Sequence, residues 1–525
     1  MRSVLLFFAV FCLHAADYNM IIRNARVVDG TGNPWFRADV GVKDGRIEAV
    51  GDLSRASAER VIDAHDRVLA PGFIDGHTHV EGDIEKIPFA DNYVRDGVTT
   101  IVTGNCGDSE VDVAAWFAKL EKIGLGINLA TLAGHNDIRI HVMGRAERHA
   151  TADELARMRE VVEKAMRDGA IGFSTGLIYI PGTYSSTEEV VELAKAASKY
   201  GGIYASHMRD EGAKVLAAIE EAASVGRAAG MRVELSHFKI DNRKHWGESD
   251  KSIAMVERFR REGVDVTVDQ YPYDRSSTNL GITLPSWALA DGKEKIKDRL
   301  ADPATRQRIA REMKQMLKDK GWKDYSYAMV SSCPFDKTLE GKTIPEIAIL
   351  KHGKKKLDRQ IQTILELMEK DWVGMVYQSM SIKDVERILR YPNTSVISDG
   401  GVREFGVGKP HPRSYGSRAR VLAEFVRNRN TISLEEAVRK MTSLPARVYG
   451  FRDRGMVREG FWADLVLFDP ARVQDKATYE NPHQYSEGFD LVLVNGQPVV
   501  ENDKPTLVRA GRILRGTGYA GEQAQ

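Results

Sequence analysis

Short runs of alternating apolar and polar residues open the chain after its first sixteen positions: Met20-Ile21-Ile22, Ala25-Arg26-Val27-Val28, Ala38-Asp39-Val40-Gly41-Val42 and Arg46-Ile47-Glu48-Ala49-Val50. A two-residue period turns one face of each run toward a core, which is the pattern of a half-buried β-strand. Asp29-Gly30 and Asp44-Gly45 supply hairpin-turn residues between them. The same texture returns near the other end, in Asp464-Leu465-Val466-Leu467-Phe468 and from Leu491 to Val500. Chain ends commonly lie close together, so one small β-rich domain assembled from residues 17–68 and 455–525 is predicted.

Between these ends the pattern changes. Apolar strand-like runs end near Gly76, Gly104, Gly134, Thr175, His207, His237, Tyr271 and Asp399, and amphipathic helical stretches such as Thr187 to Tyr200 and Gly212 to Gly230 separate them. Eight such units predict an α/β fold, a TIM-type (β/α)8 barrel over residues 69–454, in which functional side chains project from the C-terminal ends of the strands. The step from Tyr271 to the eighth run is about four times a normal unit. It holds a helix start at Asp302-Pro303, a strand-like Ala328-Met329-Val330-Ser331 and the basic run Lys351 to Lys356, which reads as a solvated helix end. An insertion after strand 7, about 278–385, is expected over the barrel mouth, where a substrate lid would sit.

The first sixteen residues stand apart from this fold. Arg2 precedes the apolar run Val4 to Leu13, and small residues follow at Ala15 and Ala16, the layout of a cleaved signal peptide. Export to the periplasm or outside the cell is the expectation. The run is too short for a comfortable permanent anchor, and no other segment reads as transmembrane.

Composition removes some alternatives. A net charge of +1 with 28% charged residues describes a mixed surface without a field for nucleic acid. Of three cysteines, Cys12 leaves with the signal, and Cys106 and Cys333 do not make a disulfide framework. Nothing in the sequence fixes the oligomeric state.

The candidate chemistry lies at the predicted strand ends. His77 and His79 in Asp75-Gly76-His77-Thr78-His79 are two positions apart, so both imidazoles project from one strand face toward a single cation. Cys106 in Gly104-Asn105-Cys106-Gly107, His207, His237 and Asp399 each close another run. A lone histidine in such a place is more often a hydrogen-bonded residue than a ligand; their joint placement on one rim carries the metal reading. Six ligands exceed the needs of one tetrahedral catalytic zinc, which keeps an open position. Two adjacent metals sharing Cys106 as a thiolate would use them all, and imidazole plus thiolate favours zinc over magnesium or calcium.

With these residues in place the chain resembles the amidohydrolase superfamily, and within it the D-aminoacylase (N-acyl-D-amino-acid deacylase) family. The resemblance rests on Pro71-Gly72-Phe73-Ile74-Asp75-Gly76-His77-Thr78-His79, Gly104-Asn105-Cys106-Gly107, Gly172-Phe173-Ser174-Thr175-Gly176-Leu177, His207-Met208-Arg209-Asp210-Glu211-Gly212, Ser236-His237-Phe238-Lys239, Asp269-Gln270-Tyr271-Pro272-Tyr273, Ser398-Asp399-Gly400 and His411-Pro412-Arg413. A cysteine in Gly-Asn-Cys-Gly, where many superfamily members use a carboxylated lysine, points away from dihydroorotases and hydantoinases. The resemblance implies a tightly held zinc on Cys106, His207 and His237 and a weaker or empty second position on His77, His79, Cys106 and Asp399. It implies zinc-dependent hydrolysis of small-molecule N-acyl-D-amino acids, with Asp399 moving the proton from water to the departing amine.

By the same resemblance Lys239, Tyr271, Ser277 and Arg413 hold the substrate's α-carboxylate and reacting carbonyl. Arg413 suits a carboxylate because its planar fork donates in pairs. Arg209, two residues beyond a ligand, is expected to brace the site through Asp210 or Glu211. Hydrolysis of dipeptides or cyclic amides on the same scaffold, and a non-catalytic barrel that only binds, are the other readings in view. Absence of a bridging lysine and retention of every ligand count against them.

Overall fold

Eight short parallel strands succeed one another along the chain in the computed structural model, which describes residues 16–521: Phe73–Asp75, Val98–Thr103, Asn128–Thr131 continued by Ala133–Gly134, Gly172–Gly176, Ile203–His207, Val233–Leu235, Val266–Gln270 and Thr394–Val396. Every residue in them is buried. That explains their near-continuous apolar character, because parallel strands inside a β/α unit are covered on both faces. Each pairs with the next in two ladders, one of the first three strands and one running from Ala133–Gly134 to the eighth. Asp399 N donates to His77 O at 3.0 Å and His79 N to Gly400 O at 2.8 Å, joining the ends of the first and eighth strands. The signal-peptide reading falls outside the described residues, apart from Ala16.

Residues from both ends of the chain form one nine-stranded sheet. Its N-terminal and C-terminal parts meet where Val68–Pro71 runs antiparallel to Leu465–Phe468. The two runs read separately at Met20 and Ala25 form a single strand, Tyr18–Val27, with a register shift between Ile22 and Ala25 at Asn24, whose φ is 57°. A bulge of this kind breaks the alternation without ending the strand. The step from this sheet into the barrel is tight at Gly72, where a Cβ would lie 2.3 Å from the Thr99 side chain.

The insertion has its own hydrophobic core, with Ile309, Met313, Ile347, Ile364 and Met375 among its members. It leaves and returns through a neck in which Arg275–Asn279 pairs antiparallel with Gly374–Gln378, Arg275 opposite Gln378. The neck thus closes at 275 and 378, beside the expected insertion of about 278–385. The helix Ile382–Arg390, assigned by sequence partly to the insertion, buries Val385, Ile388 and Leu389 in the barrel core. Lys320 bonds Asp241 at 2.8 Å and Tyr184 donates to Ser286 O at 3.2 Å, tying the insertion to the loops after the sixth and fourth strands.

Candidate metal centre

The Cys106 thiol lies at the middle of the strand-end cluster. Its Sγ is 3.3 Å from His77 Nε2, 3.5 Å from His207 Nδ1 and 3.4 Å from His237 Nε2. Zinc bond lengths at a tetrahedral angle separate a sulfur from a nitrogen ligand by roughly 3.5 Å, so these donors fit an ion of that kind. Two ligand sets share the thiol, His77 with His79 and His207 with His237, each with its donor atoms within 4.8 Å of one another. Asp399 Oδ1 is 3.2 Å from His79 Nε2 and 3.7 Å from His77 Nε2, on the side of the first set.

Local backbone makes this convergence possible. Cys106, His237 and Asp399 have φ of 54°, 35° and 51°, left-handed conformations that non-glycine residues rarely take. Three such residues at one rim mark strain held where side chains must turn inward. The turn before Cys106 needs a glycine, since at Gly104, with φ of +76°, a Cβ would stand 2.2 Å from Leu132 O.

The electrostatics suit a cation. Burial lowers His77 to about 3, His207 well below the usual histidine range and His237 below it, which keeps these three neutral, the form that ligates, whereas burial of His79 is outweighed by the Asp399 hydrogen bond and charge, which raise it. Burial, with Asp399 close by, pushes the Cys106 thiol well up, so its thiolate needs a positive partner. Burial also pushes Asp399 upward, but Arg413 and the His79 hydrogen bond overcome it and hold the carboxyl well below the usual range.

Beside the cluster, Arg413 Nη1 stands 2.7 Å from Asp399 Oδ2, Arg413 Nη2 donates to Ser277 O at 3.3 Å, and the guanidinium lies 4.7 Å from the Tyr271 ring centre. His411 accepts from Arg413 N at 3.0 Å and donates through Nε2 to Arg275 O at 2.9 Å, which fixes the start of the helix Arg413–Arg420. The Tyr271 hydroxyl is buried without a hydrogen-bond partner. Ser277 Oγ donates to Met375 O at 2.9 Å, within the neck of the insertion. Lys239 is buried and engaged, with Nζ 2.6 Å from Glu211 Oε1 and 2.7 Å from His237 O.

Arg209 differs from its sequence reading. It binds Glu221 of the following helix, Val215–Ala229, at 3.0 Å and the carbonyls of Thr183 and Ser185, partners that its place in the sequence did not suggest. Sequence reasoning gave no role to Tyr179, with its ring centre 4.6 Å from that of His207, or to Asp269, and it named Glu211 only as a partner for Arg209. The last two were visible as acids within His207-Met208-Arg209-Asp210-Glu211 and Asp269-Gln270-Tyr271.

Known proteins align with the whole of this architecture. A sequence model of the amidohydrolase family matches residues 60–273 and 382–500, leaving out the insertion between them. A D-aminoacylase of Alcaligenes xylosoxydans xylosoxydans is 34% identical over 95% of this chain and 98% of its own length. An N-acyl-D-glutamate deacylase of the same organism is 35% identical over 95% of this chain and 96% of its own. The crystal structure of N-acyl-D-glutamate deacylase from Bordetella bronchiseptica, complexed with zinc and a phosphonate mimic of the tetrahedral intermediate, gives a TM-score of 0.81 at 33% identity, covering 95% of this chain and 100% of that one. The chain belongs to the amidohydrolase family, in the branch of the D-aminoacylases.

Proposed function

We propose that this protein hydrolyses the amide bond of N-acyl-D-amino acids at a zinc centre, releasing a carboxylate and a free D-amino acid. One observation carries the reading: a single buried thiol, Cys106, belongs to both ligand sets, with the Asp399–Arg413 pair at their edge. The relatives named for D-amino-acid deacylation, and the zinc bound in one of them, support it. When bound, the ion supplies Lewis-acid polarisation of the amide carbonyl and eases ionisation of the attacking water.

The remaining work falls to the chain's own groups. Asp399 is held ionised by Arg413 and so can accept a proton at Oδ1, then deliver it to the departing nitrogen. Arg413 and Lys239 are buried cations near the Tyr271 ring, at 4.7 Å and 5.9 Å from its centre. An α-carboxylate entering this water-poor rim requires such partners, because an unpaired buried charge costs several kcal/mol. The unpartnered Tyr271 hydroxyl is free to donate to a substrate oxygen. The insertion, bonded to two rim loops, limits water at the mouth. The apolar leader-like run from Val4 to Leu13 supports export, so the substrates would be met outside the cytoplasm.

The test is a panel of N-acetyl-D- and N-acetyl-L-amino acids with acidic, aromatic and aliphatic side chains. Turnover of at least one D form, with its L partner slower by two orders of magnitude or more, is expected. Comparable turnover of both enantiomers, or none across the panel, would refute the reading.

A further inference from the structure

Two buried carboxylates stand behind the imidazoles, on the side away from Cys106. Glu211 Oε1 is 2.8 Å from His237 Nδ1, and Glu211 Oε2 is the near acid of His207 Nε2, at 3.7 Å. The nitrogens facing Cys106 are the other ones, Nε2 of His237 and Nδ1 of His207. One carboxylate therefore addresses both rings of one ligand set, through opposite ring positions. Asp269 Oδ2 lies 3.4 Å from His77 Nδ1, while His77 Nε2 faces the thiol. His207 Nε2, His77 Nδ1 and Asp269 Oδ2 are buried and lack hydrogen-bond partners. A neutral imidazole that ligates through one nitrogen carries its proton on the other, and that proton needs an acceptor.

We propose that Glu211 and Asp269 divide the bracing of the two metal positions, acting as positioning residues: Glu211 sets the tautomer and orientation of His207 and His237, and Asp269 those of His77. Glu211 has a further load. Lys239 Nζ lies 2.6 Å from its Oε1 and also 2.7 Å from His237 Nδ1. An ammonium cannot donate to a nitrogen that itself bears a proton, so with His237 ligating through Nε2 the lysine keeps Glu211 and the His237 carbonyl as its acceptors. Glu211 thus neutralises a cation that would otherwise repel the metal. Asp269 also accepts from His237 N through Oδ1, and an asparagine oxygen preserves that bond. The change to asparagine is confined to the atom facing His77.

The inference rests on the metal-centre reading, and zinc affinity tests it apart from catalysis. Metal-free protein is titrated with zinc against a chromophoric chelator, resolving two binding steps; no zinc binding by the wild type would sink the metal-centre reading itself. Glu211→Gln should weaken the first step by about 10–100-fold, and Asp269→Asn should weaken the second by a similar factor while leaving the first within about twofold. The Glu211 loss should persist in Glu211→Gln/Lys239→Met relative to Lys239→Met, which separates imidazole bracing from repulsion by an unpaired lysine. If Glu211→Gln fails to fold, Glu211→Asp keeps the charge but draws the carboxylate back, and the same loss is expected. First-step affinity equal to wild type in the folded Glu211 variant, or a first-step loss in Asp269→Asn as large as its second-step loss, would overturn the proposal.

Discussion

Arg413 Nη1 lies 2.7 Å from Asp399 Oδ2, so the guanidinium suited to reading a carboxylate is already paired with the carboxylate suited to moving a proton. Both side chains are buried, at 5% and 10% exposure. Under the proposed function a substrate carboxylate would share Arg413 with Asp399, which would link substrate binding to the position of the base.

Replacing Arg413 by lysine tests that link. The fork becomes a point charge, and the scissile amide loses its alignment. For Arg413→Lys, kcat/KM on the free acid should fall by about 100-fold with zinc content unchanged. The preference for the free acid over its α-amide should vanish. An acid-to-amide ratio equal to that of the wild type would show that Arg413 does not read the carboxylate.

Asp399→Asn separates proton transfer from metal retention. The set of Cys106, His207 and His237 does not include Asp399, so zinc at that position should remain. Turnover should drop by about 10²–10⁴-fold through loss of the base. Rate measurements alongside metal analysis check both halves, and a loss under about tenfold would remove Asp399 from the proton-transfer role.

Cys106→Ala removes the donor common to both sets. First-step zinc affinity should fall at least about 100-fold, with activity falling in parallel and the circular dichroism spectrum unchanged. Full zinc content in the purified variant would rule out a shared ligand.

A stability prediction follows from Arg418 and Asp75, whose side chains are 1% and 0% exposed and 2.8 Å apart. Asp75 Oδ1 also accepts from His77 N at 3.3 Å and Ser398 N at 3.1 Å, so the pair fixes the strand ends that carry His77 and Asp399. Arg418→Met leaves a carboxylate uncompensated in the core and should cost about 3–5 kcal/mol, seen as a lower melting temperature by calorimetry. Arg227→Met, at the exposed pair with Glu262, should cost no more than about 1 kcal/mol.

The barrel strands and the convergence of His77, His79, Cys106, His207 and His237 were legible because their signals are local. His77-Thr78-His79 carries its geometry in its spacing, and buried strands announce themselves as apolar runs ending at His207 or just before Cys106 and His237. The insertion limits were less visible, since the pairing of Arg275 with Gln378 depends on residues about a hundred positions apart in sequence. Side-chain partnerships were the hardest to read. Arg209 reaches Glu221, twelve positions on in the following helix, and Asp269 reaches His77 only because the seventh strand lies near the first in the barrel. Such contacts are set by tertiary placement, which no short pattern encodes.

The most direct test of the whole account is a zinc titration of the metal-free protein, assayed on the best N-acetyl-D-amino acid and its L enantiomer. Hydrolysis of the D form should be absent without metal and rise to its plateau with the first equivalent of zinc, while the L form stays slower by two orders of magnitude or more. Turnover by the metal-free protein, or equal turnover of the two enantiomers after zinc is restored, would contradict it.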